Sequence, residues 1–144
     1  MMRWIITIII TWLTPILTVN GGEINLRIGA NNIRATVANT ARSREFGLMQ
    51  TNHICKNCGM LFVFPHPGKY SFWMKDTPLP LSIAFINAEG SILNIEEMQA
   101  LSTQSHSASE QVIYALEMNK GWFDEHSIRP LHNVYGLNLS PKGQ

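Results

Sequence analysis

Phe72–Leu81, with the sequence FWMKDTPLPL, combines an aromatic pair, a methionine, a Lys–Asp pair and two prolines in one short segment. The apolar run Ser82–Ile86 follows directly, and a second run of this kind, Gly59–Phe64, lies upstream. Short apolar runs between turn residues are typical of buried strands. The pair Lys75-Asp76 therefore either lies at the lip of an apolar pocket or marks a passage from core to surface.

Alternating and apolar segments recur along the rest of the chain. Glu23–Ile28 alternates polar and apolar residues, and the turn residues after it lead to a second alternating segment that ends at Val37, so a hairpin is predicted. Asn39 and Thr40 can cap a helix that reaches about Met49. Further strands are predicted over residues 60–64, 70–75, 81–86, 91–98, 112–118 and 134–139, with a polar loop over 101–110 and a second helix over 122–126.

This order of elements predicts a mainly β fold, a β-rich α+β domain. About seven or eight short strands with two short helices favour a compact antiparallel sandwich or barrel. Prolines at positions 65, 78 and 80 and Gly90 are expected to end strands. The core is predicted to contain Phe62, Phe64, Ile83, Phe85 and Leu116.

The N-terminus has the order of a secretory signal peptide. A positive start, Met1–Arg3, precedes the uncharged apolar run Trp4–Leu17, and small residues follow at Gly21-Gly22. We therefore expect residues 1–21 to be a signal peptide and residues 22–144 to form one exported domain, periplasmic or secreted. The alternative is an uncleaved N-terminal anchor, although the run falls short of the roughly 20 residues that a membrane-spanning helix needs.

The charge balance argues against nucleic acid as a partner. Eleven Lys and Arg residues and ten Asp and Glu residues give a net charge of +1, and loss of Arg3 on cleavage would leave ten of each sign. Phosphate binding needs concentrated positive charge, and no basic cluster is present in the sequence. Contact with a membrane is expected only through the N-terminal segment. No cofactor is predicted.

Cys55 and Cys58 are the only cysteines in the chain. In an exported protein a lone pair of this kind predicts a disulfide. A thiol oxidoreductase is an alternative, but no helix pattern follows Cys58 to stabilise a thiolate. A metal site with His53 and perhaps His66 is a further alternative, and structural zinc usually needs four ligands. We therefore predict the disulfide and no metal site.

The residues that could form a ligand pocket are apolar groups next to isolated charges. Lys75 can stack on Trp73 or hold an anion, and Asp76 can accept hydrogen bonds or form a turn before Pro78. Glu117 interrupts an apolar strand, so it either faces water or meets Lys75 or Arg44 across a pocket. Methionines could bind Cu(I), but they are also ordinary core residues. The predicted pocket residues are Met49, Trp73, Met74, Lys75, Asp76 and Glu117.

No catalytic motif is present in the sequence, and no catalytic residue is assigned. The chain has no Gly-x-Ser-x-Gly, His-Glu-x-x-His, phosphate-loop or dinucleotide pattern. The histidines His106, His126 and His132 lie in separate polar segments and are predicted on the surface. Trp122 is predicted to pack rather than to bind.

Several blocks in sequential order resemble the DUF192 (UPF0127) family. They are Gly47–Met49, Gly59–Phe64, Phe72–Thr77, Ile83–Ile86 and Leu116-Glu117, and the similarity extends over about residues 39–134. The resemblance implies a small β-rich domain, often with an export signal or a lipid anchor, and a family without a firmly established activity.

The chain departs from the family pattern at two places. Ser82 stands where the family usually has Asp, and Leu131–Val134 stands where a Gly-Asp pair is usual. The resemblance therefore implies a member without these two carboxylates. We expect an exported binding or accessory module with an apolar pocket for an unknown small molecule or protein. The alternative is an enzyme, either a thiol oxidoreductase acting through Cys55 and Cys58 or an uncharacterised hydrolase.

Overall fold

Seven strands form one curled sheet in residues 22–144, the part of the chain that a computed structural model describes. The elements are β1 (Glu23–Ile28), β2 (Asn31–Ala38), α1 (Ala41–Phe46), β3 (Cys58–Gly68), β4 (Ser71–Phe72), β5 (Leu81–Ile86), β6 (Ile92–Met98), β7 (His106–Ser107), β8 (Val112–Asn119), α2 (Trp122–Glu125), β9 (Val134–Tyr135) and a 3-10 turn (Leu137–Leu139). The strand order in the large sheet is β6-β5-β8-β3-β2-β1-β9, and β4 and β7 form a separate small sheet. The mainly β prediction, with two short helices, is confirmed.

The sheet is not antiparallel throughout, because β2 and β3 run parallel. Their register places Thr36 beside Met60 and Ala38 beside Phe62. Two parallel neighbouring strands need a crossover connection. Here α1 and the loop after it return the chain from the end of β2 to the end of the sheet where β2 began, so that β3 can run in the same direction. The predicted hairpin of β1 and β2 is confirmed, with Leu26 opposite Ile33. Every other strand pair in the described part of the chain is antiparallel.

Four predicted boundaries were wrong. The strand predicted over residues 134–139 ends at Tyr135, and Leu137–Leu139 forms a 3-10 turn instead. The strand predicted to end at Pro65 continues to Gly68, because its register with β8 shifts between Val63 and Gly68, where the prolines lie. The strand predicted over residues 70–75 is reduced to Ser71–Phe72. The helix predicted to reach Met49 ends at Phe46, since Gly47 takes a φ of 51°.

Two apolar cores lie on opposite faces of the sheet. The alternation along β8 assigns Leu116 and Met118 to the first core and Ala115 to the second. Helix α2 covers the first core with Trp122 and Phe123, so the prediction that Trp122 packs is confirmed. The segments after α1 and after β4 cover the second core. All five predicted core residues are buried, four in the second core and Leu116 in the first.

The predicted signal peptide, residues 1–21, lies outside the described residues. Within residues 22–144, no helix is long and apolar enough to cross a membrane.

Candidate functional site

A cavity of about 1010 Å³ opens beside the second core. Its floor comes from β2, β3 and β8, one wall from α1 and the loop after it, and the other wall from the segment Ser71–Thr77. Phe46 and Trp73 stand on opposite walls, and 54% and 51% of their surfaces remain exposed. Ligand pockets in proteins typically measure roughly 300–1,000 Å³. The cavity is therefore large enough to hold a small organic molecule.

Glu117 places a carboxyl group on the cavity floor. The register of the sheet sets it opposite Met60 on β3 and Ile83 on β5, so its neighbours across both ladders are apolar. Only 4% of Glu117 is exposed. Within residues 22–144 its carboxyl forms no hydrogen bond or ion pair, so it does not meet Lys75 or Arg44 as the sequence suggested, and it faces the cavity instead.

The protonation of Glu117 follows from this burial. Loss of water raises the pKa of the Glu117 carboxyl from 4.5 to about 8. At pH 7 roughly nine in ten molecules therefore carry a neutral carboxyl there. A neutral carboxyl has an O–H group that donates a hydrogen bond and a carbonyl oxygen that accepts one. The floor of the cavity can therefore recognise a polar group in otherwise apolar surroundings.

Lys75 and Trp73 form a pair at the rim. The Lys75 Nζ atom lies 5.4 Å from the centre of the Trp73 ring, a distance at which a cation is attracted to the ring face. This stacking agrees with the sequence analysis, but the strand geometry expected for the two residues was wrong. The chain turns at Asp76, which takes a φ of 55°, and the Asp76 carbonyl accepts a hydrogen bond from the Gln50 amide at 2.8 Å.

The two methionines predicted for the pocket have different environments. Met49 lines the cavity on the loop after α1. Met74 does not line it, because its side chain is 1% exposed and packs in the second core. Met60, which sequence analysis did not include in the pocket, lies on the floor beside Glu117. Its position two residues before Phe62 on the same strand face was the signal available in the sequence.

Arg44 fixes the wall formed by α1. Its Nη1 atom donates to the carbonyls of Asn39 at 2.7 Å and Val63 at 3.0 Å, and Nη2 donates to Gln144 at 2.7 Å. The guanidinium also lies 5.4 Å from the centre of the Phe64 ring, and partial burial lowers the Arg44 pKa. Because these bonds go to backbone carbonyls, Arg44 joins α1 to β3 and does not neutralise Glu117.

Cys55 and Cys58 form a disulfide, as predicted, on the loop that leads into β3. The pair lies next to Arg34 of β2 and is not part of the cavity wall. No group of three or more His, Cys, Asp or Glu side chains in the described part of the chain is arranged to hold a metal ion.

His106 lies outside the cavity and was wrongly predicted on the surface. Only 5% of it is exposed, and its Nδ1 atom lies 3.2 Å from the Glu96 carboxylate. The strand β7 that carries it pairs with β4, which no local pattern in the polar segment 101–110 indicated.

The sequence model of the DUF192 family, described as "Uncharacterized ACR", matches residues 24–135. The chain belongs to the DUF192 family. No match was found among the curated proteins.

Two solved structures resemble this DUF192 domain. One, from Sinorhizobium meliloti 1021, is described as a candidate transcription regulator, with 29% sequence identity and a TM-score of 0.78 over 83% of this chain and 97% of that chain. The other is a protein of unknown function from Novosphingobium aromaticivorans DSM 12444, with 25% identity and a TM-score of 0.73 over 78% and 82% of the two chains.

Ser82, one of the two departures from the family pattern, has a structural role in this chain. It is fully buried on the sheet face opposite the cavity. Its hydroxyl donates to the Glu97 carboxylate at 2.7 Å and accepts from the Gly121 amide at 2.8 Å. Both bonds tie β5 to its neighbours, so Ser82 stabilises the fold here and does not face the cavity.

Proposed function

We propose that this protein is an exported binding or accessory module that holds a small, partly apolar molecule in the cavity beside α1. The observation that carries the proposal is the Glu117 carboxyl, which is buried on the cavity floor with no hydrogen-bond or ion-pair partner among residues 22–144. Burying a polar group without a hydrogen bond costs free energy. A ligand atom that accepts a hydrogen bond from Glu117 would remove that cost.

The surroundings of Glu117 define the class of ligand. Met60 and Phe62 supply apolar surface beside the carboxyl, and Phe46 and Trp73 supply exposed aromatic surface at the opening. The rim carries both signs of charge, with Arg42 and Lys75 as cations and Glu45 and Asp76 as acids. Such a site favours a neutral molecule with an aromatic or aliphatic body and one oxygen that accepts a hydrogen bond.

The hydroxyl groups around the cavity favour binding over hydrolysis. Ser43 bonds to Thr40, Ser71 bonds to Ser107, and the Thr77 hydroxyl donates to the Lys75 carbonyl. A hydroxyl nucleophile needs a base within hydrogen-bond distance, and none of these three is paired with Glu117 or a histidine.

Fluorescence titration with prodan, a neutral naphthalene ketone, tests the proposal at pH 6.5. We expect binding with an emission change that reports a hydrogen-bonded carbonyl. Glu117→Gln keeps an N–H donor and should retain binding, whereas Glu117→Leu should weaken it by about three- to tenfold, the value of one hydrogen bond. Glu89→Gln, in an exposed turn, is the control and should bind as the wild type does.

A naphthalene probe without the ketone separates the contribution of the carboxyl from that of the apolar surface. The affinity of this probe should not fall in Glu117→Leu, because the probe has no oxygen that could accept a hydrogen bond from Glu117. If prodan fails to bind, or binds equally to wild type and Glu117→Leu, the proposed role of Glu117 is wrong.

Export is supported by the order of charged, apolar and small residues before Gly22. Intact mass and N-terminal sequencing of protein recovered from a bacterial periplasm test it. The chain should begin near Gly22 or Glu23. Recovery of only the full-length chain, in the membrane fraction, would show an anchor.

A further inference from the structure

The Cys55–Cys58 disulfide lies on the surface, outside the cavity, and its two sulfurs differ in environment. Cys55 is exposed, whereas Cys58 is half-buried at the start of β3. We propose that this disulfide is a thiol–disulfide exchange site, at which a thiolate from solvent attacks the Cys55 sulfur and Cys58 leaves as a thiolate. The proposal is independent of any ligand in the cavity.

Arg34 supplies the charge that this reaction needs. Its Cα is the register partner of Cys58 across β2 and β3, and its Nη2 atom lies 3.4 Å from Cys58 Sγ and 3.9 Å from Cys55 Sγ. A nearby arginine stabilises a thiolate, and a leaving thiol with a lower pKa departs faster. Because the guanidinium is closer to Cys58, it favours Cys58 as the leaving group.

Glu23 is the acidic group that contacts Arg34. Its carboxylate lies 3.9 Å from the Arg34 Nε atom, and both side chains are more than half exposed, at 61% and 59%. An exposed ion pair at this distance is weak. The ion pair also uses the Arg34 Nε atom, so the Nη2 atom remains free to contact the two sulfurs.

Hydrogen bonds hold the loop without help from the disulfide. The Asn119 side chain donates to the Cys55 carbonyl at 3.0 Å, and the Arg34 amide donates to the Asn57 carbonyl at 3.0 Å. The indole of Trp122, which is only 2% exposed, donates to Asn57 Oδ1 at 3.0 Å. These bonds would keep the two thiols adjacent after reduction, so that the disulfide can form again.

The short spacing also argues against a purely structural disulfide. The two cysteines are three residues apart in sequence. In the chain-entropy account, a crosslink stabilises a fold by restricting the unfolded chain, and the effect is smallest for short loops. This bond therefore contributes less to stability than a crosslink between distant segments would.

The reaction balances as a two-electron exchange with two thiols. A first thiolate forms a bond to Cys55 Sγ, the Cys55–Cys58 bond breaks, and Cys58 takes the electron pair. A second thiolate then attacks the external sulfur of the mixed disulfide and releases Cys55 as a thiolate. The protein disulfide is reduced to two thiols, and the two external thiols are oxidised to one disulfide.

Reduction by excess glutathione, followed by alkylation and intact mass, tests the role of Arg34. Arg34→Gln should slow the reduction by about two- to fivefold, the change in rate that corresponds to the free energy of one solvent-exposed charge interaction. Arg34→Lys keeps a cation and should react close to the wild-type rate. Arg27→Gln, an arginine on β1 that contacts Tyr135 and not the sulfurs, is the control. Equal rates for Arg34→Gln and Arg27→Gln would overturn the proposal.

The attacked sulfur can be identified directly, because Lys56 lies between the two cysteines. The wild-type reaction is quenched with acid and N-ethylmaleimide, and trypsin then separates the two cysteines by cleavage after Lys56. Glutathione should be found on the peptide that contains Cys55, and its presence on Cys58 instead would contradict the mechanism.

The circular dichroism and Trp fluorescence of the fully reduced protein provide the last test. Both should match those of the oxidised protein at 25 °C. Unfolding on reduction would show that the disulfide is structural, and the proposal would fail.

Discussion

Met60 on β3 and Glu117 on β8 face each other directly across the antiparallel ladder, and both lie on the cavity floor. Ile83 on β5 occupies the equivalent position on the other side of Glu117. The sheet thus places a carboxyl group between two apolar side chains, and no Lys, Arg or His side chain within residues 22–144 forms an ion pair with it. This arrangement accounts for the raised pKa and makes the stability of the fold sensitive to pH.

We expect the substitution Glu117→Gln to stabilise the protein at neutral pH. The pKa of Glu117 is about 8 in the folded protein, against 4.5 ordinarily. Folding therefore favours the protonated carboxyl. The stability that this preference adds to the free energy of unfolding is fully present below about pH 4.5, and it is lost as the pH rises toward 8. The amide of a glutamine does not ionise, so the stability of Glu117→Gln does not fall over this pH range. At pH 7 its free energy of unfolding should exceed that of wild type by up to about 3 kcal/mol.

Urea denaturation of both proteins between pH 4 and pH 9 measures this difference. The gap in the free energy of unfolding should be small at pH 4, widen with pH and level off above pH 8. Glu89→Gln, in an exposed turn, should show no such trend. A constant gap across this range would mean that Glu117 ionises normally in the folded protein.

We expect Phe85→Ala and Phe46→Ala to separate the core from the cavity rim. Phe85 is 0% exposed in the second core, so its truncation should cost about 3–5 kcal/mol. Phe46 is 54% exposed at the cavity mouth, so its truncation should change stability by less than about 0.5 kcal/mol. Thermal and urea unfolding give both values. If Phe46→Ala proves as costly as Phe85→Ala, α1 contributes more to the core than its exposure implies.

The sequence was sufficient to predict the strand faces, because alternation depends only on neighbouring residues. It assigned Phe62, Phe85 and Leu116 to the core, and all three are buried. It could not give the direction of pairing between distant strands, so the parallel pair of β2 and β3 was missed. Nothing local in either strand records which way its neighbour runs.

The site was harder to predict, because its geometry depends on bonds between distant segments. The Met74 amide donates to the Ser102 carbonyl at 2.9 Å, and the Leu101 amide donates to the Thr77 carbonyl at 3.0 Å. These bonds end the strand early and turn Met74 into the core. Arg44 was a plausible partner for Glu117 by charge alone, but backbone carbonyls already accept its hydrogen bonds.

Thr40 should be important for the cavity wall formed by α1. Its hydroxyl accepts a hydrogen bond from the Ser43 amide at 3.1 Å, and the Ser43 hydroxyl accepts from the Thr40 amide at 3.0 Å, a reciprocal cap. Thr40→Ala should cost about 1 kcal/mol, and Thr40→Ser should restore most of it. The urea midpoint should fall with an unchanged m value, and equal midpoints for the two variants would show that the cap does not stabilise the fold.

Gly59 should be essential for the position of Glu117. A methyl group at Gly59 would overlap the Glu117 backbone carbonyl and the Met118 sulfur, since β3 and β8 approach closely there. Met118 can move, but the carbonyl belongs to the ladder, so β8 would have to shift. We expect Gly59→Ala to cost about 1–3 kcal/mol, as overpacking does, and to weaken prodan binding. Gly22→Ala, where no atom lies within 4 Å, is the matched control. Wild-type stability and binding in Gly59→Ala would show that the two strands have room to separate without disturbing the cavity.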